Sequence, residues 1–167
     1  MFKKRAPGPV REAYIACMQQ SRNPYFYAAL GVPDTLDGRF EMLLVHLFLL
    51  QQRLHAEAPE FAQGLSELFL NDMDIALREL GIADSGVSRR IKQMGKAYHG
   101  RLQAYATADD EALKGALARN LYGTVAEGDP AHLAGMAAYM RGQEAALAAA
   151  TADSLTGARY VWPAVAA

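Results

Sequence analysis

The longest apolar run of the chain lies between Leu36 and His55, where Met42 through Leu50 are interrupted only by His46. Placed on a helix, Phe40, Leu43, Leu44, Leu47, Phe48 and Leu54 cover one side, while Met42, Val45, Leu49 and Leu50 spread round the other. A helix that is apolar nearly all round belongs in the middle of a domain. The run is also shorter than the ~20 apolar residues that cross a bilayer. The spacing therefore predicts a central helix, Leu36–His55, with the rest of the chain packed round it.

Shorter segments with a single apolar face flank it. Pro7 to Pro9 should stop a helix, so the first is expected from about Val10, with Val10, Ala13, Tyr14 and Cys17 stepping at helical spacing to Ser21. Asn23-Pro24 predicts a short aromatic helix, Pro24 to Leu30, closed by Gly31, with Tyr25, Phe26 and Tyr27 as core or edge packing or as a ligand platform. Pro59 opens the helix after the central one. Its apolar arc contains Phe61, Leu65, Leu68, Phe69, Met73, Ala76 and Leu80, and Gly81 closes it. Asp72 projects into that arc, where a carboxylate must be paired, hydrogen-bonded or protonated. A buried Arg partner, a helix-end contact, or a contact to a binding partner or polar ligand would each satisfy it.

Ile82 to Ser88 reads as a connection, with Asp84, Ser85 and Ser88 as caps for a helix over Val87–Ala106. One side of that helix carries Val87, Ile91, Met94, Tyr98, Leu102 and Tyr105. The other carries a basic stripe, Arg89, Lys92, Lys96 and His99, with Arg90 and Arg101 on the flank. Such a stripe is a solvated face or a surface for an acidic partner, RNA or anionic lipid. Without interleaved exposed aromatics, specific nucleic-acid binding is the least supported of these. Asp109 to Glu111 suit the start of a helix carrying Leu113, Leu117 and Leu121, ending at Tyr122-Gly123. Asp129-Pro130 starts a last long helix, rich in Ala and Gly, with Leu133, Met136, Met140 and Leu147 on one side. Beyond it, Tyr160-Val161-Trp162-Pro163 belongs to a tail able to tuck against the bundle. The expected class is all-α: one bundle of about six to seven helices, with a basic arm at residues 1–9, a helical domain at 10–152 and a tail at 153–167.

Composition narrows the function. With 17 basic and 18 acidic side chains, the net charge of −1 excludes a strongly basic nucleic-acid binder by bulk charge. A lone Cys17 excludes an intrachain disulfide and a cysteine-based zinc site. Lys3-Lys4-Arg5 is followed by Ala6-Pro7-Gly8-Pro9 where a secretory signal needs its apolar segment, so cytoplasm is the expected location. The alternative is peripheral contact with the inner face of the cytoplasmic membrane.

The catalytic signatures are absent: no GxSxG, P-loop, GxGxxG or HExxH occurs. Asp72 and Asp74 lie ~200° apart on a helix and cannot share a metal ion in cis. His46, His55, His99 and His132 fall on four different surfaces. His46 alone offers a cofactor alternative, as an axial haem ligand inside a bundle. The expectation is a protein with no cofactor and no enzymatic activity.

Several segments carry a family resemblance. They are Phe26-Tyr27 with Leu30-Gly31-Val32-Pro33-Asp34-Thr35, Phe40 with Val45-His46-Leu47, Leu68 through Asp74 with Leu77, Leu113 through Leu117 with Arg119 through Gly123, and His132-Leu133 with Tyr139. In this order the chain resembles the ubiquinol–cytochrome c chaperone family, assembly factors for cytochrome b of the bc1 complex. The resemblance covers about residues 22–145. It implies an all-helical, non-enzymatic chaperone that binds newly made cytochrome b or its nascent chain. Mitochondrial members act with a small partner protein near the ribosomal exit tunnel. Lacking a long presequence, this chain looks like a bacterial relative, for which only the cytochrome b part carries over directly. Candidate client surfaces are Tyr25 to Tyr27 and the Met- and Ala-rich face of the last helix. The stripe Arg89, Lys92, Lys96, His99 would place the protein at membrane or ribosome. Two other functions stay open: a haem protein using His46, and a membrane-surface adaptor using the basic stripe.

Overall fold

The computed structural model describes residues 8–107, 109–123, 128–157 and 161–165 of the chain. Among them are six helices of 11 to 22 residues, α1 (Gly8–Ser21), α3 (Leu36–Leu54), α4 (Pro59–Glu79), α5 (Asp84–Tyr105), α6 (Asp110–Asn120) and α7 (Pro130–Ala149). Two five-residue helices, α2 (Pro24–Ala28) and α8 (Ala152–Thr156), complete the set. No strand occurs among the described residues, and the fold is the all-α bundle that the periodicity predicts.

The central helix is α3. Every residue from Met42 to Gln51 is buried, and α3 packs against α1, α4, α5 and α7. With neighbours on all sides, its second apolar face is satisfied by protein rather than left to water. The other long helices each bury one face, as amphipathic helices do. Leu65 and Phe69 of α4, Val87, Tyr98 and Tyr105 of α5, and Met136 and Met140 of α7 all lie inside.

Several boundaries differ from the periodic expectation for local reasons. Pro9 does not exclude the helix. It occupies the first turn of α1, where a missing N–H breaks no helical bond. The connection expected over residues 82 to 88 is shorter and earlier, residues 80–83, since α5 begins at Asp84, three residues before Val87. Asp84 there pairs with Arg78 instead of capping the helix. The tail from 153 is partly helical, because Thr151 accepts from the Ser154 N–H and starts α8. Trp162 then tucks in, edge-on against the His46 ring at 5.0 Å. Residues 1–7 of the basic arm lie outside the described residues, and so does Tyr160 of the tail.

Gly31 closes the aromatic segment with φ +63°, a left-handed conformation that disfavours any Cβ. A Cβ at this position would also collide with the His132 ring at the start of α7. Two independent penalties thus fall on one atom. Gly31→Ala should cost about 2 kcal/mol or more of unfolding free energy, measured by urea titration. A cost near zero would show that α7 does not seat against this turn.

Candidate functional site

Three polar side chains of α3 are buried: Glu41, His46 and Gln51. They stand five residues apart, so each points about 140° round the helix from the one before. Each therefore addresses a different neighbour. Burying such groups is tolerated only when their hydrogen-bonding capacity is met.

Glu41 meets α5. Its carboxylate accepts from Arg101 Nε at 2.7 Å and from the Arg101 Nη2 group. Burial pushes the Glu41 carboxyl up from its ordinary value more strongly than the guanidinium pulls it down. The Arg101 guanidinium is raised in turn, chiefly by its hydrogen bond to Glu41. The pair is thus held against a real desolvation cost, which is the usual condition of a buried ion pair.

His46 meets α7. Its Nδ1–H donates to the Met42 carbonyl at 2.8 Å, which leaves Nε2 as the acceptor for the Tyr139 hydroxyl at 2.7 Å. Gln20 of α1 donates to the same hydroxyl at 3.3 Å. Phe26, Tyr139 and Trp162 surround the imidazole at ring distances of 5.0 to 5.8 Å. Desolvation lowers the His46 pKa to about 4, so the ring is neutral at physiological pH. Both ring nitrogens are engaged, and an iron bound at Nε2 would have to displace the Tyr139 hydroxyl. The haem alternative is left without an open coordinating nitrogen.

Gln51 meets α4 and α5 together. Its Nε2 donates to the Ala62 carbonyl at 2.9 Å and to the Ser66 hydroxyl at 2.7 Å, while Oε1 accepts from the Tyr98 hydroxyl at 2.7 Å. Burial pushes Tyr98 up to about 12, consistent with a permanent donor. A neighbouring arginine makes a different kind of tie. Arg53 donates to the Leu147 carbonyl at 3.0 Å and the Ala150 carbonyl at 2.9 Å, closing the C-terminus of α7 with a cation where the helix dipole favours one.

The residues singled out from sequence are dispersed by the fold. Asp72 is half-buried on α4 and engages the Tyr14 hydroxyl of α1, so of the alternatives left open its hydrogen bond is met inside the bundle, by a phenol and not by an arginine. The buried carboxylate with an arginine partner is Glu41. Tyr25 packs half-buried at the edge of Phe26, and Tyr27 donates to the Ser21 carbonyl at 2.7 Å. The Met-rich face of α7 is core, since Met136 and Met140 are fully buried, and it offers nothing to a client. Arg89, Lys92, Lys96 and His99 are all exposed along one outward face of α5, with Arg90 exposed on its flank. His55 is exposed, His132 is half-buried against Gly31, and neither approaches the other histidines in a cluster. Among the described residues no three His, Cys, Asp or Glu side chains converge on a metal position.

Two open clefts lie on either side of Gln52. One, about 350 Å³, is bordered by Arg53, Thr107, Arg141 and Glu144. Its arginines are already committed, Arg53 to helix-end carbonyls and Arg141 to Asp110, Glu144 and the Thr107 carbonyl. The other, about 260 Å³, has Phe48, Leu102 and Ala62 as its apolar wall. His55 and Ser66 also border the second cleft, where the Ser66 hydroxyl is engaged by Gln51 and Tyr98. No helix among the described residues is long and apolar enough to cross a membrane.

The fold and its polar core define an all-α bundle whose buried polar groups tie α4, α5 and α7 onto α3. Known proteins place it further. The model of the ubiquinol–cytochrome c chaperone family matches residues 28–162. The crystal structure of the Cbp3 homolog from Brucella abortus is similar at 34% identity and a TM-score of 0.81, covering 92% of this chain and 88% of that one. No curated protein sequence matches. The chain belongs to the ubiquinol–cytochrome c chaperone family.

Proposed function

We propose that this chain is an assembly chaperone for ubiquinol–cytochrome c reductase, the bc1 complex, that binds newly made cytochrome b and carries out no reaction itself. The observation that carries this is the family match, which spans residues 28–162 and so takes in α3 to α8. Similarity to a Cbp3 homolog over most of both chains supports it. The interior is in keeping with a binding role, since Glu41, His46 and Gln51 are each spent on holding helices and none faces a cleft as a free acid or base. Client binding then falls to surface features rather than to a pocket.

Deleting the gene tests this directly. Assembled cytochrome b and bc1 activity should fall severalfold while the cytochrome b transcript stays constant. Restoring the gene should restore both. Normal bc1 levels in the deletion strain would remove the proposal. Cytochrome b is also expected among the proteins that co-purify with the tagged chain from growing cells.

A further inference from the structure

We propose that residues 161–165 form a displaceable strap, and that the surface groove beneath Trp162, formed by Phe26, His46 and Tyr139, receives in its place an aromatic side chain from an extended segment of the client. This rests on the chaperone reading and states by what chemistry the client is held.

Residues 161–165 take no helix or strand. Exposure instead changes from one residue to the next. Val161 is 84% exposed, the most uncovered large apolar side chain among the described residues, while Trp162 beside it is buried. Val165 is half-buried against the core. The stretch thus lies on the bundle as an extended peptide lies in a groove, with one anchoring ring and a lesser apolar contact three residues on. Segments held by so few buried side chains open before the rest of a fold does.

The groove belongs to the bundle and not to the strap. Phe26 of α2 meets Tyr139 of α7 at 4.9 Å and His46 of α3 at 5.5 Å, and Trp162 stands at 89° to the His46 ring, 5.0 Å away. These are favourable edge-to-face spacings for any aromatic ring placed there. The polar atoms of the floor are satisfied without the strap. His46 Nδ1 is engaged by the Met42 carbonyl and Nε2 by the Tyr139 hydroxyl, which also accepts from Gln20. Lifting Trp162 therefore strands none of these groups, and an apolar site of fixed shape is left.

Trp162 itself shows which occupant fits: a ring carried on an extended, proline-containing backbone. A membrane protein offers comparable segments before its helices pair, because Trp and Tyr are enriched where its helices meet the interface. The strap is tethered, so it competes at an effective concentration in the mM range. It closes over an empty groove and yields only to a segment that outbids it, which keeps weak apolar sequences out.

Trp162 is the one tryptophan of the chain, so its emission reports on the strap alone. The probe is a soluble peptide of the strap sequence with phenylalanine in place of its tryptophan. Titrated into the full chain, it should shift the Trp162 emission to longer wavelength as the indole enters water. By anisotropy, the labelled peptide should bind Trp162→Ala about tenfold and Val165→Ser about threefold more tightly than the parent chain. A peptide with alanine in place of the ring should bind none of the three. If circular dichroism shows that Trp162→Ala does not fold, Val165→Ser and the emission of the parent chain decide. Equal affinity for the parent and the folded variants overturns the proposal, as does a titration that leaves the emission unmoved. Loss of bc1 in the deletion strain without peptide exchange would remove the strap and keep the chaperone. Peptide exchange with normal bc1 would remove cytochrome b as the client and keep the strap.

Discussion

Arg101→Ala should lower the unfolding free energy by about 3 kcal/mol, because it strands the Glu41 carboxylate inside the bundle. The value sits at the low end for a broken buried pair. The Arg101 side chain is itself 22% exposed, and water would enter as it is cut back. Replacing both partners tells a different story. A Glu41→Leu, Arg101→Met double variant removes the desolvation cost along with the attraction, and should recover most of the loss. Urea titrations of the two single variants and the double variant form a closed cycle, and the coupling energy should be large compared with the ~0.3–0.5 kcal/mol of additive sites. Additive losses would mean that Glu41 and Arg101 act independently, contrary to their hydrogen-bonded geometry. The same cycle reports on the seating of α5, because this pair ties α5 to α3 just beyond the C-terminal end of the basic face.

Acidification should weaken the fold through His46. The neutral ring is favoured in the folded state, where the pKa falls to about 4 from an ordinary 6.5. Below about 6.5 the unfolded chain takes up a proton that the native protein refuses, so stability is lost as pH falls through this window and the loss levels off below about 4. At about 1.4 kcal/mol per unit, the group contributes about 3 kcal/mol of stability near neutral pH that is gone at the bottom of the window. His46 is fully buried, so no solvent screening reduces the figure. Urea titrations at several pH values should show a steeper decline for the parent chain than for His46→Gln, in which nothing titrates. Carboxylates elsewhere contribute alike to both chains and drop out of the difference. Equal declines would mean that the imidazole is not held neutral by the core. Tyr139→Phe offers a companion measurement: removing the donor to Nε2 should cost about 1–2 kcal/mol at neutral pH and should let the ring protonate more readily.

These two effects bear on function through rigidity. The polar contacts of α3 fix the angular positions of α4, α5 and α7 round it, and the surfaces those helices present depend on that arrangement. Loss of Arg101 frees the helix that carries Arg89, Lys92 and Lys96, while protonation of His46 loosens α7 and the Trp162 clasp. A chaperone variant can therefore fail through its core without any change at its surface.

How far the chain could be read in advance depended on whether a property is local. The central helix was legible because Met42 to Leu50 is apolar on every face, and only burial on all sides accommodates that. The ends of α4 were legible because Pro59 and Gly81 act through their own backbone geometry. The outward direction of the basic stripe was legible too, since Arg89, Lys92, Lys96 and His99 stand opposite the apolar positions of one helix. The family resemblance likewise rested on the linear order of short segments.

Partnership was not legible. A half-buried Asp72 invited an arginine, yet the fold brings Tyr14 to it and gives the arginine to Glu41, 60 residues away in sequence from Arg101. Nothing in the spacing of Glu41 announced this, because a pair joined across two helices leaves no periodic trace. The methionines of α7 looked adaptable enough for a client, but which side of an Ala-rich helix turns inward is set by its neighbours. The same holds for His46, whose neutrality comes from burial beneath Tyr139 and Trp162, 93 and 116 positions further along the chain. Sequence alone determined the long helices and their amphipathic faces, because each depends on residues within a few turns of one another. Only the tertiary structure decided which buried polar groups meet and which apolar side chains stay uncovered, because burial and pairing arise when distant segments exclude water together.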